Sequence, residues 1–193
     1  MSQTKTTWGK VVSGQELVTA KRFRSKSFIT RKERMLALPD LISEGWSEYK
    51  TYSDPKFVGV KKKKPFDELF EDKVWMMFAN LGFTDMNCDR KFYMSYDYQN
   101  PDFTQQIDVF AADEETIIIV ECKASETIKD GVFKKYIEAF HGQMEGLRKE
   151  AQKKYPGRKV KFIWATHNYI MSKADVDKLN EWGIIHFSDA AID

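Results

Sequence analysis

Hydrophobic and polar positions fall into regular patterns only from residue 65 onward. Phe66, Leu69, Phe70, Val74, Met77, Phe78 and Leu81 recur at helical spacing, and Gly82 supplies a stop, which predicts a helix over residues 65–81. Lys91 to Tyr96 reads as a strand. Tyr98, Gln99, Asn100, Pro101 and Asp102 form a turn cluster, and Gln106 to Ala112 predicts a second strand. Asp113, Glu114 and Glu115 make a short connector to Thr116-Ile117-Ile118-Ile119-Val120. That continuous β-branched run marks a central strand covered on both faces.

Residues 130–155 predict a long helix, with Phe133, Ile137, Phe140, Met144, Leu147 and Ala151 on one stripe and Pro156-Gly157 as its end. Val160 to Ala165 is a further strand. Ser172 is an N-cap, with Asp175 three positions on, and Gly183 closes that helix before a last short strand over 184–187. The order α-β-β-β-α-β-α-β implies an α/β fold with a mixed central sheet. Its first three strands form an antiparallel meander, and the strands joined by helices run parallel.

Residues 1–64 carry weaker periodicity, with room for a short helix or two between Met35 and Tyr49. Lys61 to Lys64 followed by Pro65 reads as a linker and sets a domain boundary there, between an N-terminal extension (1–64) and a core domain (65–193). No internal repeat is visible.

Charge sharpens this division. The net charge of +2 averages over an asymmetry: residues 1–65 hold fifteen Lys and Arg against six Asp and Glu, and residues 66–193 hold sixteen against twenty-three. A basic arm ahead of an acidic body implies a polyanion partner for the arm, with Arg22, Arg24, Arg31, Lys32 and Arg34 as its candidate nucleic-acid contacts. No apolar run reaches roughly 18 residues, so no membrane span is expected. The opening segment lacks a secretory h-region. Two cysteines without zinc-type spacing, Cys88 and Cys122, fit a reducing cytoplasm.

The candidate chemistry lies where charges meet the core strand. Glu121 and Lys123 extend the most apolar run in the chain. Two residues apart on a strand, they project to one face, with Cys122 turned the other way. Charges there are costly unless paired or bound to an ion. The short connector makes the strand before it a hairpin partner. Pairing Phe110 or Ala111 near Ile117 brings Asp108 toward residues 119–121. Two carboxylates and an ammonium then converge, which suits a hard divalent cation and phosphodiester hydrolysis.

The string Ile107-Asp108-Val109 … Ile119-Val120-Glu121-Cys122-Lys123-Ala124-Ser125 resembles the PD-(D/E)XK, or restriction-endonuclease-like, nucleases, in particular the Mrr-like and Holliday-junction-resolvase-like branch. The resemblance spans about residues 65–189. It implies that Asp108, Glu121 and the main-chain carbonyl of Cys122 hold Mg²⁺, for which Mn²⁺ can substitute, and that Lys123 is the catalytic lysine. It further implies an auxiliary acid on the first helix, a ligand of the metal or of its water, where Glu71 falls at the edge of the apolar stripe and Glu68 and Asp72 point away. Ser125 and Gln143 are candidate phosphate contacts, although Leu147 stands where some relatives of that kind carry tyrosine. No proline immediately precedes Asp108; Pro101-Asp102 matches the literal motif but sits in the turn cluster.

The activity so implied is a DNA endonuclease in prokaryotic restriction or phage defence, acting as a homodimer. A fainter resemblance links the chain to the leading region of DGQHR-domain proteins, which implies further domains in a longer protein. The alternatives are a nuclease fold that binds nucleic acid without cutting it, and an RNA-processing nuclease.

Overall fold

The computed structural model describes residues 8–97, 100 and 102–189. Tyr98, Gln99 and Pro101 of the expected turn lie outside them. In chain order the elements are β1 (Val11–Val12), α1 (Gly14–Arg24), β2 (Phe28–Arg34), a 3-10 turn (Met35–Ala37), α2 (Leu38–Ser43), β3 (Ser47–Thr51), β4 (Phe57–Lys63), α3 (Phe66–Asn80), β5 (Asp85–Asn87), β6 (Tyr93–Ser95), β7 (Thr104–Gln106), β8 (Val109–Ala112), β9 (Thr116–Gly131), α4 (Lys134–Lys154), β10 (Lys159–Met171), α5 (Lys173–Glu181) and β11 (Ile184–Ser188).

The main sheet has six strands in the order β1-β5-β8-β9-β10-β11. Pairing is antiparallel from β1 through β9 and parallel from β9 through β11, so the sheet is mixed. The parallel half follows from the two crossover helices, α4 and α5. The β-branched run occupies the middle: Ile117, Ile119 and Val120 are fully buried and Ile118 nearly so. Ile117 and Ile119 pack with Ile137, Phe140 and Leu147 of α4; Ile118 and Val120 pack with Phe70, Val74 and Phe78 of α3. Each such side chain contributes roughly 1.5–3 kcal/mol when removed from water, which fixes β9 between two helical layers.

Three differences from the sequence reading concern the site. The strand expected over 106–112 is broken into β7 and β8, with Ile107 and Asp108 between them. β7 pairs with β6 in a separate two-stranded sheet, so the expected three-strand meander does not form. The central strand does not end at Val120 but runs on to Gly131, where Lys129–Gly131 pair with Tyr169–Met171 past an irregularity at residues 167–169. The helix expected from residue 130 therefore begins at Lys134.

The expected boundary at residue 64 does not divide the structure. Val11 and Val12 pair with Asn87 and Met86 at the edge of the main sheet. Trp8 packs edge-on against Phe92 and Phe110, and its indole nitrogen donates to Glu150 Oε1 at 3.1 Å. Ala20 of α1 is buried with the α3 residues. In chain order, the residues between α1 and α3 form a second sheet, in the order β2-β4-β3, with its own small core of Leu41, Val58 and Val60 beneath α2.

Candidate active site

Asp108 sits at the head of β8. The β8–β9 ladder pairs Val109 with Val120 and stops there, leaving Asp108 at the position that would face Glu121. Its carboxylate turns along β9 instead: Oδ2 accepts the Cys122 N–H at 2.8 Å. The N–H and C=O of one strand residue point to the same sheet edge, so the Cys122 carbonyl is aimed past the end of β8 as well. Asn87 of β5 holds this corner, donating to the Asp108 carbonyl at 3.1 Å and accepting from Phe110 N–H at 3.0 Å.

Glu121 and Lys123 share a face as strand alternation requires, and Lys123 Nζ contacts Glu121 Oε1 at 2.6 Å. The ammonium lies 6.0 Å from the Trp164 ring centroid and 5.8 Å from that of Tyr136. Cys122 points the other way into the α3 side of the core.

The electrostatics are those of crowded, half-desolvated charge. Burial pushes the Asp108 carboxyl well above its ordinary range. Glu121 and Glu71 push further, against the Cys122 hydrogen bond and Lys123. Burial opposes the charge of Lys123, but the charge and hydrogen bond of Glu121 together with the charge of Asp108 favour it, and the net effect holds the ammonium more firmly than usual. Glu71 on α3 is pushed up to about 7 by burial, against the pull of Arg90.

Glu71 is accordingly brought near the cluster, but its partner is Arg90, whose Nε lies 3.0 Å from Oε2. Among the described residues no group of three or more His, Cys, Asp and Glu side chains is arranged to hold a metal ion. The oxygen donors at hand are two carboxylates and a main-chain carbonyl. That set fits a small hard cation which keeps several of its waters, and does not fit one that needs a full protein cage.

The remaining sequence-predicted residues are placed elsewhere. Ser125 is buried within the prolonged β9; its hydroxyl accepts from Thr127 N–H at 3.4 Å and its carbonyl accepts from Asn168 at 3.1 Å. Gln143 is half-buried on α4. Arg24, expected to contact nucleic acid, is 7% exposed and paired with Asp72 at 2.8 Å. Arg31 lies on the α2-covered side of the small sheet, 4.2 Å from the Trp46 ring centroid. Arg31 is nonetheless exposed, as are Arg22, Lys32 and Arg34.

Asp72, expected to point away from α3's buried side, is 3% exposed and is the hub of an ion cluster. It takes Arg24 at 2.8 Å, Lys64 at 2.7 Å and Arg90 at 2.8 Å. Arg90 also reaches Glu68 and Glu71, so one guanidinium ties the candidate site to this hub. Arg90 lies between β5 and β6, and nothing in its sequence neighbours announces the role.

Fold and site together define a mixed α/β protein, helices on both faces of a mixed sheet, with two acids and a lysine at the switch between its antiparallel and parallel halves. No protein-family model matches the chain, and no curated protein does either. Among solved structures it is similar to protein VC1899 from Vibrio cholerae, at 14% identity over 91% of this chain and 47% of that one, with a TM-score of 0.44. It is also similar to Can2 from Sulfobacillus thermosulfidooxidans, solved in complex with cyclic tetra-adenylate, at 12% identity over 92% and 54%, with a TM-score of 0.41. The chain thus spans about half the length of each. What the site does must follow from its own residues.

Proposed function

We propose that the protein is a metal-dependent DNA endonuclease of the PD-(D/E)XK kind. The observation that carries this is the hydrogen bond from Cys122 N–H to Asp108, which seats the acid just before β8 against β9 beside the Glu121–Lys123 pair. Asp108, Glu121 and the Cys122 carbonyl would hold Mg²⁺, or Mn²⁺ in its place. When bound, the ion would withdraw charge from the scissile phosphate and acidify a water. Lys123 supplies a firmly held positive charge to the phosphoryl oxygens as negative charge builds there. Glu71, pushed up to about 7, exchanges a proton readily near neutrality and suits an acid–base role toward water or the leaving oxygen. Prokaryotic restriction or phage defence in the cytoplasm is the matching setting, and a homodimer would cut both strands of a duplex.

A second reading, binding without cleavage, is favoured by one observation. Glu121 is engaged by Lys123 and Glu71 by Arg90, so two of the three acids already have cationic partners. Plasmid nicking separates the two readings. With Mg²⁺ the wild type is expected to nick, and Asp108→Asn, Glu121→Gln and Lys123→Ala each to lose roughly a hundredfold or more. Nicking that survives Asp108→Asn, or that proceeds in EDTA, rules out this centre.

A further inference from the structure

The small sheet has two unlike faces. Strand pairing puts Glu33 opposite Val58 and Glu48 opposite Val60, so both acids of its strands share the side covered by α2. On the other side the pairs are Phe28 with Lys63, Thr30 with Lys61, Lys32 with Gly59 and Arg34 with Phe57. Lys50 also pairs with Gly59, across an irregularity that turns Tyr49 to this side too. A side chain at Gly59 would come within 3.1 Å of the Tyr49 ring and 2.8 Å of Lys50 Cβ, so the glycine is the floor over which both lie.

The open face thus alternates rings and cations and draws no carboxylate from its three strands. The rings are already used as cation platforms. Lys32 Nζ lies 4.1 Å from the Phe57 centroid and 4.8 Å from that of Tyr52; Lys50 lies 5.0 Å from Tyr52, and Lys61 lies 5.3 Å from Phe28. Phe28 and Tyr49 remain 43% and 45% exposed, a large apolar area to leave in water unless something stacks on it.

We infer that this face binds single-stranded DNA, its bases stacked on Phe28 and Tyr49 and its phosphates taken by Lys32, Lys50 and Lys61. A base is a broader flat partner for a ring than an ammonium, and a displaced lysine gains a phosphate, so both halves of each present pair are satisfied in the exchange. A duplex offers phosphates but hides its base faces in its own stack, so it uses only half of the surface. The choice of the deoxy sugar rests on the proposed function; the platform itself does not.

Fluorescence anisotropy of a labelled oligodeoxythymidylate, in EDTA and across a salt series, tests this without involving the candidate metal centre. Wild type is expected to bind the single strand more tightly than a duplex of equal length. Tyr49→Ala or Phe28→Ala should weaken it roughly tenfold. Lys32→Ala and Lys61→Ala should each lower the slope of log affinity against log salt by about 0.7. Arg31→Ala, on the covered side, should bind as wild type does. Equal or tighter binding of the duplex, preference for the matching oligouridylate, or wild-type affinity in Tyr49→Ala and Lys61→Ala overturns the inference. Nicking that persists while single-strand binding is absent overturns the platform alone. Binding with no nicking supports the platform and counts only against the metal centre.

Discussion

At the scale of single residues, Asp108 is held in a place a carboxylate resists. It lies half-buried beside Glu121 and Glu71, and only the Cys122 N–H and Lys123 compensate. Asparagine keeps an oxygen for that N–H and sheds the repulsion. Asp108→Asn is therefore expected to raise the melting temperature in EDTA by roughly 2–4 °C, equivalent to about 1 kcal/mol for a chain of this size, while abolishing nicking. Added Mg²⁺ or Ca²⁺ should raise the wild-type melting temperature and leave the variant unmoved. His186 gives an independent pH signature. Burial lowers its pKa from 6.5, and Thr166 Oγ1 sits 3.1 Å from its Nε2. As pH falls the unfolded chain takes the proton first, so this contribution is complete above about 6.5 and is lost below it. Glu71 and Asp108, whose carboxyls are raised in the fold, gain stability over the same window, so the signature is a difference: the melting temperature of the wild type relative to His186→Asn should fall between pH of about 7.5 and 5.5.

At the scale of elements, the strands and helices with long periodic patterns were legible: α3, the core of β9, α4 and α5 fall close to their expected spans, and β10 covers its expected span but runs on to Met171. β1 and β5 were not, because two or three residues carry no usable period and are strands only by virtue of the edge they extend. The break at Asp108 was equally hidden; it arises because β7 is claimed by β6 and β8 by β9. One close approach of elements makes a sharp prediction. On α4 a side chain at Gly146 would run into the Tyr96 carbonyl at 1.5 Å, whereas Gly142, one turn earlier, faces open space. Gly146→Ala should cost at least about 2 kcal/mol in urea unfolding. Gly142→Ala should stabilise by up to roughly 1 kcal/mol.

At the scale of the whole molecule, the basic N-terminal region is built into the body it was expected to precede. Lys64 and Arg24 close on Asp72, each 7% exposed or less. Removing partners from a buried charge costs about 3–5 kcal/mol. A chain beginning at residue 65 loses β1, α1 and both cations at once, and should show no cooperative unfolding transition by circular dichroism. In the full chain, Asp72→Asn should leave the opposite imbalance, two buried cations short of an anion, and lower stability by a similar amount.

The order of residues alone determined that β9 would lie inside, that Glu121 and Lys123 would share one face of it, and that helices on its flanks would force parallel pairing. These follow from periods of 2 and 3.6, which act between near neighbours. Which acid on α3 is buried, where the basic arm goes, and how Asp108 reaches the Cys122 amide were decided only in three dimensions. They depend on charges and backbone groups that meet across dozens of residues, and no local pattern encodes such meetings.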